Sequence, residues 1–364
     1  MPGLPRRHHY VTKAYLDGFL EPDGKQLFCY MRRKFEPFAT TPMKLANIRD
    51  FHSFKRPDGS IDASLETQIE REVETPGIPL LRKLASGKVS LDYRQRSLVA
   101  RLVALQHVRV PYERSFMDRN NVDDLRSYIE EMDEDSRNLG APVNAIEIAI
   151  TPQDDPRLIK NWVRVTRTQI LAEIKEAEED PQRSSRENFF GLAESLGRII
   201  ERMEWTVRYA SGAARFVTSD RPVMRSFSDG LTMGRGLKDL RAEIRFPLSS
   251  TSILEIKHRQ WLVDAVRKRP LRGGLRPKVN TEWTIATGDA DDSFVNTFNR
   301  RMAKQAHLLV FSGRTQGWLT EWMKDPIKPE KRAVKVLDAE ERLKILGEKK
   351  PLLTRKREWV TSPE

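Results

Sequence analysis

The sequence has 364 residues, a formal net charge of +12, and 38% hydrophobic and 32% charged residues. No run approaches the roughly 18 apolar residues of a membrane span, and the chain is long enough for a sizeable core or two domains. The single cysteine, Cys29, excludes an intrachain disulfide and a cysteine-rich zinc site. With no secretory signal pattern, we expect a cytoplasmic protein without a membrane partner. The excess positive charge favours nucleic acid as a partner.

Helical patterns dominate the first two hundred residues. The exception is LFCYMRRKFEPF, whose alternation of apolar and polar residues predicts a hairpin near 25–55. We expect helices over 64–85, 90–117, 155–179 and 186–203. Pro111 should end or kink the second of these helices, because proline lacks a backbone N–H.

Strand patterns begin after Glu204. EWTVRYASGAARFVTSDRPV predicts two strands around the turn 211–213, and IRFPLSSTSILEI predicts a strand pair with Pro247 at an edge or bend. A helix over 291–307 and a strand over 308–312 should follow. The expected fold is therefore α+β and predominantly helical, with a smaller mixed or antiparallel sheet in the C-terminal half.

Composition divides the chain into three expected parts. Residues 1–204 form a mainly helical part, residues 205–323 a mixed sheet and helix part, and residues 324–364 a basic tail rich in proline and lysine. Charge is also uneven, since residues 225–278 carry thirteen Lys or Arg against five Asp or Glu. Residues 118–135 are acidic and could dock a protein partner or a second copy of the chain.

The segment HHYVTKAYLDGF near the N-terminus resembles the HHxVPxxYLxxF signature of a widespread bacterial family of unknown function. Further pieces follow in the order that the family shows, among them LETQIEREVE, QHVRVP and FVTSDRPV, the last similar to a TSDxPV motif. The resemblance spans about residues 8–313, and Thr12 stands where the signature has proline. It implies no established reaction, but it draws attention to His8, His9 and Asp220.

His8 and His9 are the first candidates for chemistry. Apolar residues at helical spacing follow them, so we expect the pair at the start of a docked helix. One imidazole would act as a ligand or general acid/base while a hydrogen bond holds the other. The alternative is a packed terminal segment whose histidines pair with nearby carboxylates.

Carboxylates and a polar pair on two later helices extend the candidate site. Glu66, Glu70 and Glu74 follow i, i+4 spacing, and we choose Glu70 as a metal ligand, although such rows are commonly solvated stripes. Gln106 and Arg109 share one face of an apolar helix, so Arg109 should face a carboxylate or a phosphate.

Asp220 follows a predicted strand in FVTSDRPV, where functional side chains commonly gather. An Asx-turn, in which Asp220 only bonds local backbone, is an equally good interpretation. If the residue is functional, Asp220, Glu70 and His9 would hold a divalent metal, Mg²⁺ or Mn²⁺.

A basic cluster, VRKRPLRGGLRPK, completes the candidate residues. Basic side chains flanked by aromatic residues suit contact with a single strand of nucleic acid. The expected phosphate contacts are Arg267, Lys268, Arg269, Arg272, Arg276 and Lys278.

Together these patterns predict a metal-dependent phosphodiesterase or nuclease that acts on nucleic acid, in bacterial defence or nucleic-acid turnover. Arg109 would steady the phosphate. Two alternatives stay open: a non-enzymatic nucleic-acid-binding protein, and a ligand- or protein-binding module whose polar pairs are structural. The absence of GxxxxGK[ST], GxGxxG, HExxH and GxSxG patterns disfavours P-loop motors, Rossmann dehydrogenases, zincins and serine hydrolases.

Overall fold

The computed structural model describes residues 7–34, 36–55, 60–150, 161–180, 183–227, 236–258 and 282–324. The basic cluster 267–278, with Arg267, Lys268, Arg269, Arg272, Arg276 and Lys278, lies outside these residues. The tail beyond 324 lies outside them as well.

Helices occupy most of the ranges in which the sequence predicts them. The α-helices are α1 (Lys13–Leu16), α2 (Ser64–Ile69), α3 (Thr75–Ala85), α4 (Tyr93–Val108), α5 (Pro111–Leu139), α6 (Arg167–Glu179), α7 (Arg183–Arg202), α8 (Asp292–Gln305) and α9 (Gly317–Lys324). A π-helical segment, Glu70–Glu74, joins α2 to α3, so residues 64–85 form one continuous helical stretch as predicted. Pro111 separates α4 from α5, as its missing N–H requires.

The strands are short and spread along the chain. They are β1 (Arg7–His9), β2 (Leu27–Met31), β3 (Phe38–Thr40), β4 (Asn47–Arg49), β5 (Phe54–Lys55), β6 (Ile61–Asp62), β7 (Ser90–Asp92), β8 (Ala145–Ile150), β9 (Asn161–Thr166), β10 (Glu204–Ala210), β11 (Thr218–Ser219), β12 (Met224–Phe227), β13 (Ala242–Ser249), β14 (Ser252–Lys257), β15 (Glu282–Thr284), β16 (Ala286–Ala290) and β17 (Leu309–Ser312). Together with the helices they confirm the α+β class.

The chain divides into two compact units. The first contains residues 1–113 and 189–329, and the second contains residues 114–188 and 330–364. The boundary expected at residue 204 therefore falls inside the first unit. No helix in the described part of the chain is both long and apolar enough to cross a membrane.

The first unit contains two larger sheets. One has the order β12-β13-β14-β10-β16 and the other the order β11-β17-β2-β3. The predicted hairpins β2–β3 and β13–β14 are confirmed as antiparallel pairs. The two strands predicted around the turn 211–213 are β10 and β11, but they do not form a hairpin: β10 pairs with β14 and β16, whereas β11 pairs with β17 in the other sheet.

The N-terminal motif packs into the core of the first unit. Tyr15, Leu16 and Phe19 are buried, which confirms the apolar face predicted from their spacing. The Tyr15 hydroxyl lies 2.9 Å from Thr218 Oγ1 and donates to the Pro247 carbonyl at 2.9 Å. These bonds hold α1 against β11, which begins the TSDRPV motif, and against β13.

The second unit contains most of α5, the β8–β9 hairpin and α6. The predicted helix 155–179 is wrong over 161–166, which form β9, and residues 155–160 lie outside the described residues. The helix begins only after Thr166, whose side chain accepts from Gln169 N in a capping box. The acidic residues 118–135 lie within α5.

Candidate active site

The two adjacent histidines lie in a strand and not at a helix start. β1 pairs with β4 in antiparallel register, so that His8 lies opposite Ile48 and His9 opposite Asn47. The helical expectation fails because backbone pairing with β4 continues to His9 before α1 begins at Lys13. Successive side chains of a strand point to opposite faces. His8 is accordingly buried, while His9 is half-buried.

His8 is held by a second histidine that the sequence analysis did not single out. The backbone N–H of His52 donates to His8 Nδ1 at 2.9 Å. An acceptor nitrogen must carry a lone pair, so this bond fixes His8 as the neutral form with its proton on Nε2. The two imidazole rings stack with centroids 5.8 Å apart and an interplanar angle of 7°.

The His52 ring leads from His8 to a carboxyl group on α2. It stacks on Phe189 with ring centroids 5.4 Å apart, and its Nε2 lies 3.8 Å from Glu66 Oε2. That distance is too long for a hydrogen bond but short enough for strong electrostatic coupling. His8, His52 and Glu66 therefore form a row of titratable groups in which the two imidazoles are buried and the carboxyl is partly buried.

Glu66 is the unusual group of this row. Burial raises its pKa from 4.5 to about 7, with further upward contributions from the negative charges of Glu74 and Glu70 and an opposing one from Arg109. Oε2 is buried and has no hydrogen-bond partner among the described residues. Glu66 can therefore exchange a proton near neutral pH, as a general acid or base must.

Arg109 is the centre of a second polar group beside this row. Its guanidinium is 1% exposed, donates from Nη1 to Glu74 Oε1, and donates from Nη2 to Gln106 Oε1 at 2.7 Å and Thr12 Oγ1 at 3.1 Å. Gln106 Nε2 in turn donates to the Tyr10 carbonyl at 2.8 Å. The predicted pair at the C-terminal end of α4 thus binds the N-terminal motif, and the anion facing Arg109 is a carboxylate.

The three glutamates of the predicted row differ in environment. Glu70 is exposed, whereas the side chains of Glu66 and Glu74 are only 23% and 20% exposed. Glu74 ends the π-helical segment, a distortion that is frequent at functional sites. Glu66 and Glu74 are therefore the carboxylates of this row nearest to Arg109 and the histidines, while Glu70 borders solvent.

His9 faces the other side of β1. Its Nε2 lies 3.1 Å from the Met43 carbonyl, which requires this nitrogen to carry the proton and leaves Nδ1 as the basic position. Burial lowers the pKa of His9, and the positive charge of Arg109 lowers it further. His9 is therefore mainly neutral at pH 7 and able to accept a proton.

The Asp220 carboxylate accepts hydrogen bonds from backbone N–H groups, whereas a metal ligand would need its oxygens for the ion. Its Oδ1 accepts from His307 N at 2.9 Å, and its Oδ2 accepts from Leu308 N at 2.6 Å and Leu309 N at 3.0 Å. Burial raises the pKa of this carboxyl, and the three N–H donors lower it. The carboxylate fixes the turn into β17, which corresponds to neither the metal site nor the local Asx-turn considered above.

The neighbours of Asp220 also serve the fold. Arg221 donates to Glu113 Oε1 at 2.7 Å, and its guanidinium carbon lies 3.7 Å from the Tyr112 ring centroid. Asn299 accepts from Val217 N at 3.0 Å and donates to the Arg215 carbonyl at 2.8 Å. The TSDRPV motif is thus anchored on both sides by hydrogen bonds.

The structure therefore joins part of the predicted site. One polar region contains four of the predicted residues, namely His8, His9, Gln106 and Arg109. The structure adds four further residues to this region: Thr12, His52, Glu66 and Glu74. The described residues contain no group of three or more His, Cys, Asp or Glu side chains arranged to hold a metal ion. His52 was missed because its contact with His8 spans 44 positions, a separation that no periodic pattern reports.

A neutral substitution at Glu66 should change how stability depends on pH. Because the folded-state pKa of Glu66 is raised, its contribution to stability is present below pH 4.5 and is lost as pH rises through about 7. Glu66→Gln, which mimics the protonated carboxyl, should therefore raise the free energy of unfolding at pH 8 by about 1–3 kcal/mol.

Urea unfolding of wild type and Glu66→Gln at pH 5 and pH 8 measures this difference. The gain in free energy of unfolding from Glu66→Gln should be smaller at pH 5. Glu173→Gln, at an exposed position of α6, should leave the free energy of unfolding unchanged at both pH values. If Glu66→Gln raised the free energy of unfolding equally at pH 5 and pH 8, the pKa of Glu66 would not be raised in the folded protein.

These features define an α+β protein with a histidine, carboxylate and arginine site buried beneath an N-terminal strand. The chain belongs to the family described as "Protein of unknown function (DUF4238)", whose model matches residues 7–316. No curated protein and no solved structure matches the chain.

Proposed function

We propose that this protein hydrolyses phosphodiester bonds in nucleic acid at the site formed by His9, Glu66 and Arg109. The observation that carries the proposal is Glu66, a carboxyl with one unpartnered oxygen and a pKa raised by burial to about 7. Residues with a pKa perturbed by burial and specific charged neighbours cluster at functional sites. Such a group can donate a proton to a leaving oxygen and recover it at neutral pH.

His9 and Arg109 complete the assignment of roles. His9, neutral and half-buried, is the base that accepts a proton from the attacking water through Nδ1. Arg109 contacts Glu74, Gln106 and Thr12, and it acts through them as a positioning residue that fixes the N-terminal motif. Its positive charge also favours the approach of a phosphate.

The proposed reaction uses a divalent metal, Mg²⁺ or Mn²⁺. Glu70 is the residue that would hold the ion, because its carboxylate is exposed and lies close enough to Glu66 to raise the pKa of that acid. Mg²⁺ commonly binds one or two carboxylates and completes its shell with water and substrate phosphate. The ion would polarise the phosphoryl oxygen and lower the pKa of a bound water.

Nucleic acid is the proposed substrate on grounds of charge. The chain carries a net charge of +12, and the cluster 267–278 would supply phosphate contacts. Its one cysteine, Cys29, is buried and unpaired, as suits the reducing cytoplasm in which we place this activity. Defence or nucleic-acid turnover in a bacterial cell is the corresponding biological role.

A second candidate function is nucleic-acid binding without catalysis. It is favoured by the hydrogen bonds of Asp220 and Arg109, because both side chains already bind other groups of the protein. In that case the polar region holds the N-terminal motif in place, and the basic residues alone contact the partner.

Cleavage assays separate the two candidates. Labelled single-stranded RNA and DNA should be cut by the purified protein in Mn²⁺ or Mg²⁺ and left intact with EDTA. His9→Gln should reduce the rate by roughly 10²- to 10⁴-fold, whereas His258→Gln, which changes another half-buried histidine, should not. Salt-sensitive binding with no cleavage in any metal would support the second candidate instead.

A further inference from the structure

A cavity of about 370 Å³ opens beside β1. Its lining includes Tyr10, the residue after His9, and Asn47, which lies opposite His9 in the β1–β4 register. Tyr10 N donates to the Ala46 carbonyl at 2.9 Å, so the cavity wall and the His9 backbone belong to one hydrogen-bonded unit. A ligand in this cavity would therefore lie beside the strand pair that carries His9.

The wall of the cavity is largely apolar and includes two aromatic rings. Tyr10 and Phe38 contribute these rings, and Leu45 adds aliphatic surface. The Phe38 side chain is 36% exposed, so part of its ring is accessible to a ligand. The Lys34 ammonium lies 5.1 Å from the Phe38 ring centroid and adds positive charge at this edge.

A lysine supplies the positive charge of the cavity lining, while the Asp220 carboxylate behind the wall lies close enough to raise the pKa of Tyr10 and Cys29. Lys44 lies in the lining, which includes no aspartate or glutamate. Its ammonium is exposed and forms no ion pair with a described residue. Asn47 donates from Nδ2 to the Met43 and Leu45 carbonyls, so its Oδ1 stays available as an acceptor. The cavity thus offers aromatic surface, a hydrogen-bond acceptor and a cation to one ligand.

We propose that this cavity binds a nucleotide, with the base against Phe38 and Tyr10 and the phosphate at Lys44. A planar heteroaromatic ring that carries a negative group matches all three features of the wall. The volume lies within the range of small-ligand pockets, about 300–1,000 Å³. Combined with the proposed function, which this step assumes, the cavity would hold the nucleotide next to the bond that is cut. Mononucleotide binding itself does not depend on cleavage.

Calorimetric titration of the full chain with four probes tests the proposal. Adenosine 5′-monophosphate and uridine 5′-monophosphate should bind, and ribose 5-phosphate and adenosine should each bind more weakly because each lacks one half of the ligand. Phe38→Ala should weaken adenosine 5′-monophosphate binding by roughly five- to a hundredfold through lost stacking. Lys44→Ala should weaken it by roughly two- to fivefold, with little effect on adenosine.

Matched surface variants control for stability and net charge. Ile61→Ala removes an equally exposed apolar side chain, and Lys25→Ala removes an exposed lysine, both outside the cavity lining. Both should bind the four probes as wild type does. Failure of every mononucleotide to bind at millimolar concentration, or equal binding by wild type and Phe38→Ala, would overturn the proposal. Mononucleotide binding without cleavage would uphold the cavity and refute only the hydrolytic function.

Discussion

Asp220→Ala should lower the free energy of unfolding by about 3–5 kcal/mol, because it removes a buried carboxylate that accepts hydrogen bonds from three backbone amides. The amides belong to residues 307–309, which lead into β17 at the centre of the β11-β17-β2-β3 sheet. An alanine cannot accept these bonds, and the cavity that it leaves adds a packing loss. Urea unfolding monitored by circular dichroism measures the effect.

The matched control is Asp23→Ala, which removes an exposed aspartate. It should change stability by no more than about 0.5 kcal/mol. If Asp220→Ala were as stable as Asp23→Ala, the carboxylate would not be structural and its role as a functional acid would return.

Arg109→Met should also destabilise the protein by about 3–5 kcal/mol, because it removes one partner of a buried ion pair. The substitution retains the aliphatic part of the side chain but leaves Glu74 unpaired. It also removes the N–H groups that donate to Gln106 and Thr12. Unfolding free energy is again the measurement, with Arg301→Met, at an exposed position of α8, as the matched control.

A double-mutant cycle shows whether the pair with Glu74 is the cause. Glu74→Gln in the Arg109→Met background should restore part of the loss, because no unpaired buried charge then stays behind. Strictly additive losses from the two substitutions would contradict the ion pair as the source of stability.

The sequence was sufficient for the local elements of this protein. The alternation in LFCYMRRKFEPF predicted β2–β3, and the apolar spacing after Ser90 predicted α4, whose Asp92 cap satisfies the first turn. Spacing also placed Gln106 and Arg109 on one buried face. These predictions succeed because the signal and the structure involve neighbouring residues.

The parts that failed depend on contacts between distant segments. His8 and His9 were expected at a helix start, but pairing with β4 holds them in a strand. β10 and β11 were predicted on either side of one turn, but each pairs with a strand elsewhere in the chain. No periodicity reveals which residues lie opposite a strand, because register is set by the whole sheet.

The residues of the candidate site also fall into those predicted from local spacing and those that depend on contacts between distant segments. Gln106 and Arg109 were found from spacing, whereas Glu66 was passed over for Glu70, the member of the row that is exposed. Which glutamate of an i, i+4 row is buried depends on what packs against α2, and that is His52, from a loop before it. A raised pKa arises from burial and charged neighbours, so it becomes visible only in the fold.

The most direct test of the proposed hydrolytic site is the initial rate of nucleic-acid cleavage by Glu66→Gln at pH 7, with Glu173→Gln as control. We predict that Glu66→Gln folds at least as stably as wild type yet cleaves roughly 10²- to 10⁴-fold more slowly, because an amide cannot exchange the proton. Glu173→Gln should cleave at the wild-type rate. Cleavage by Glu66→Gln at the wild-type rate would contradict the assignment of this carboxyl as the acid of a hydrolytic site.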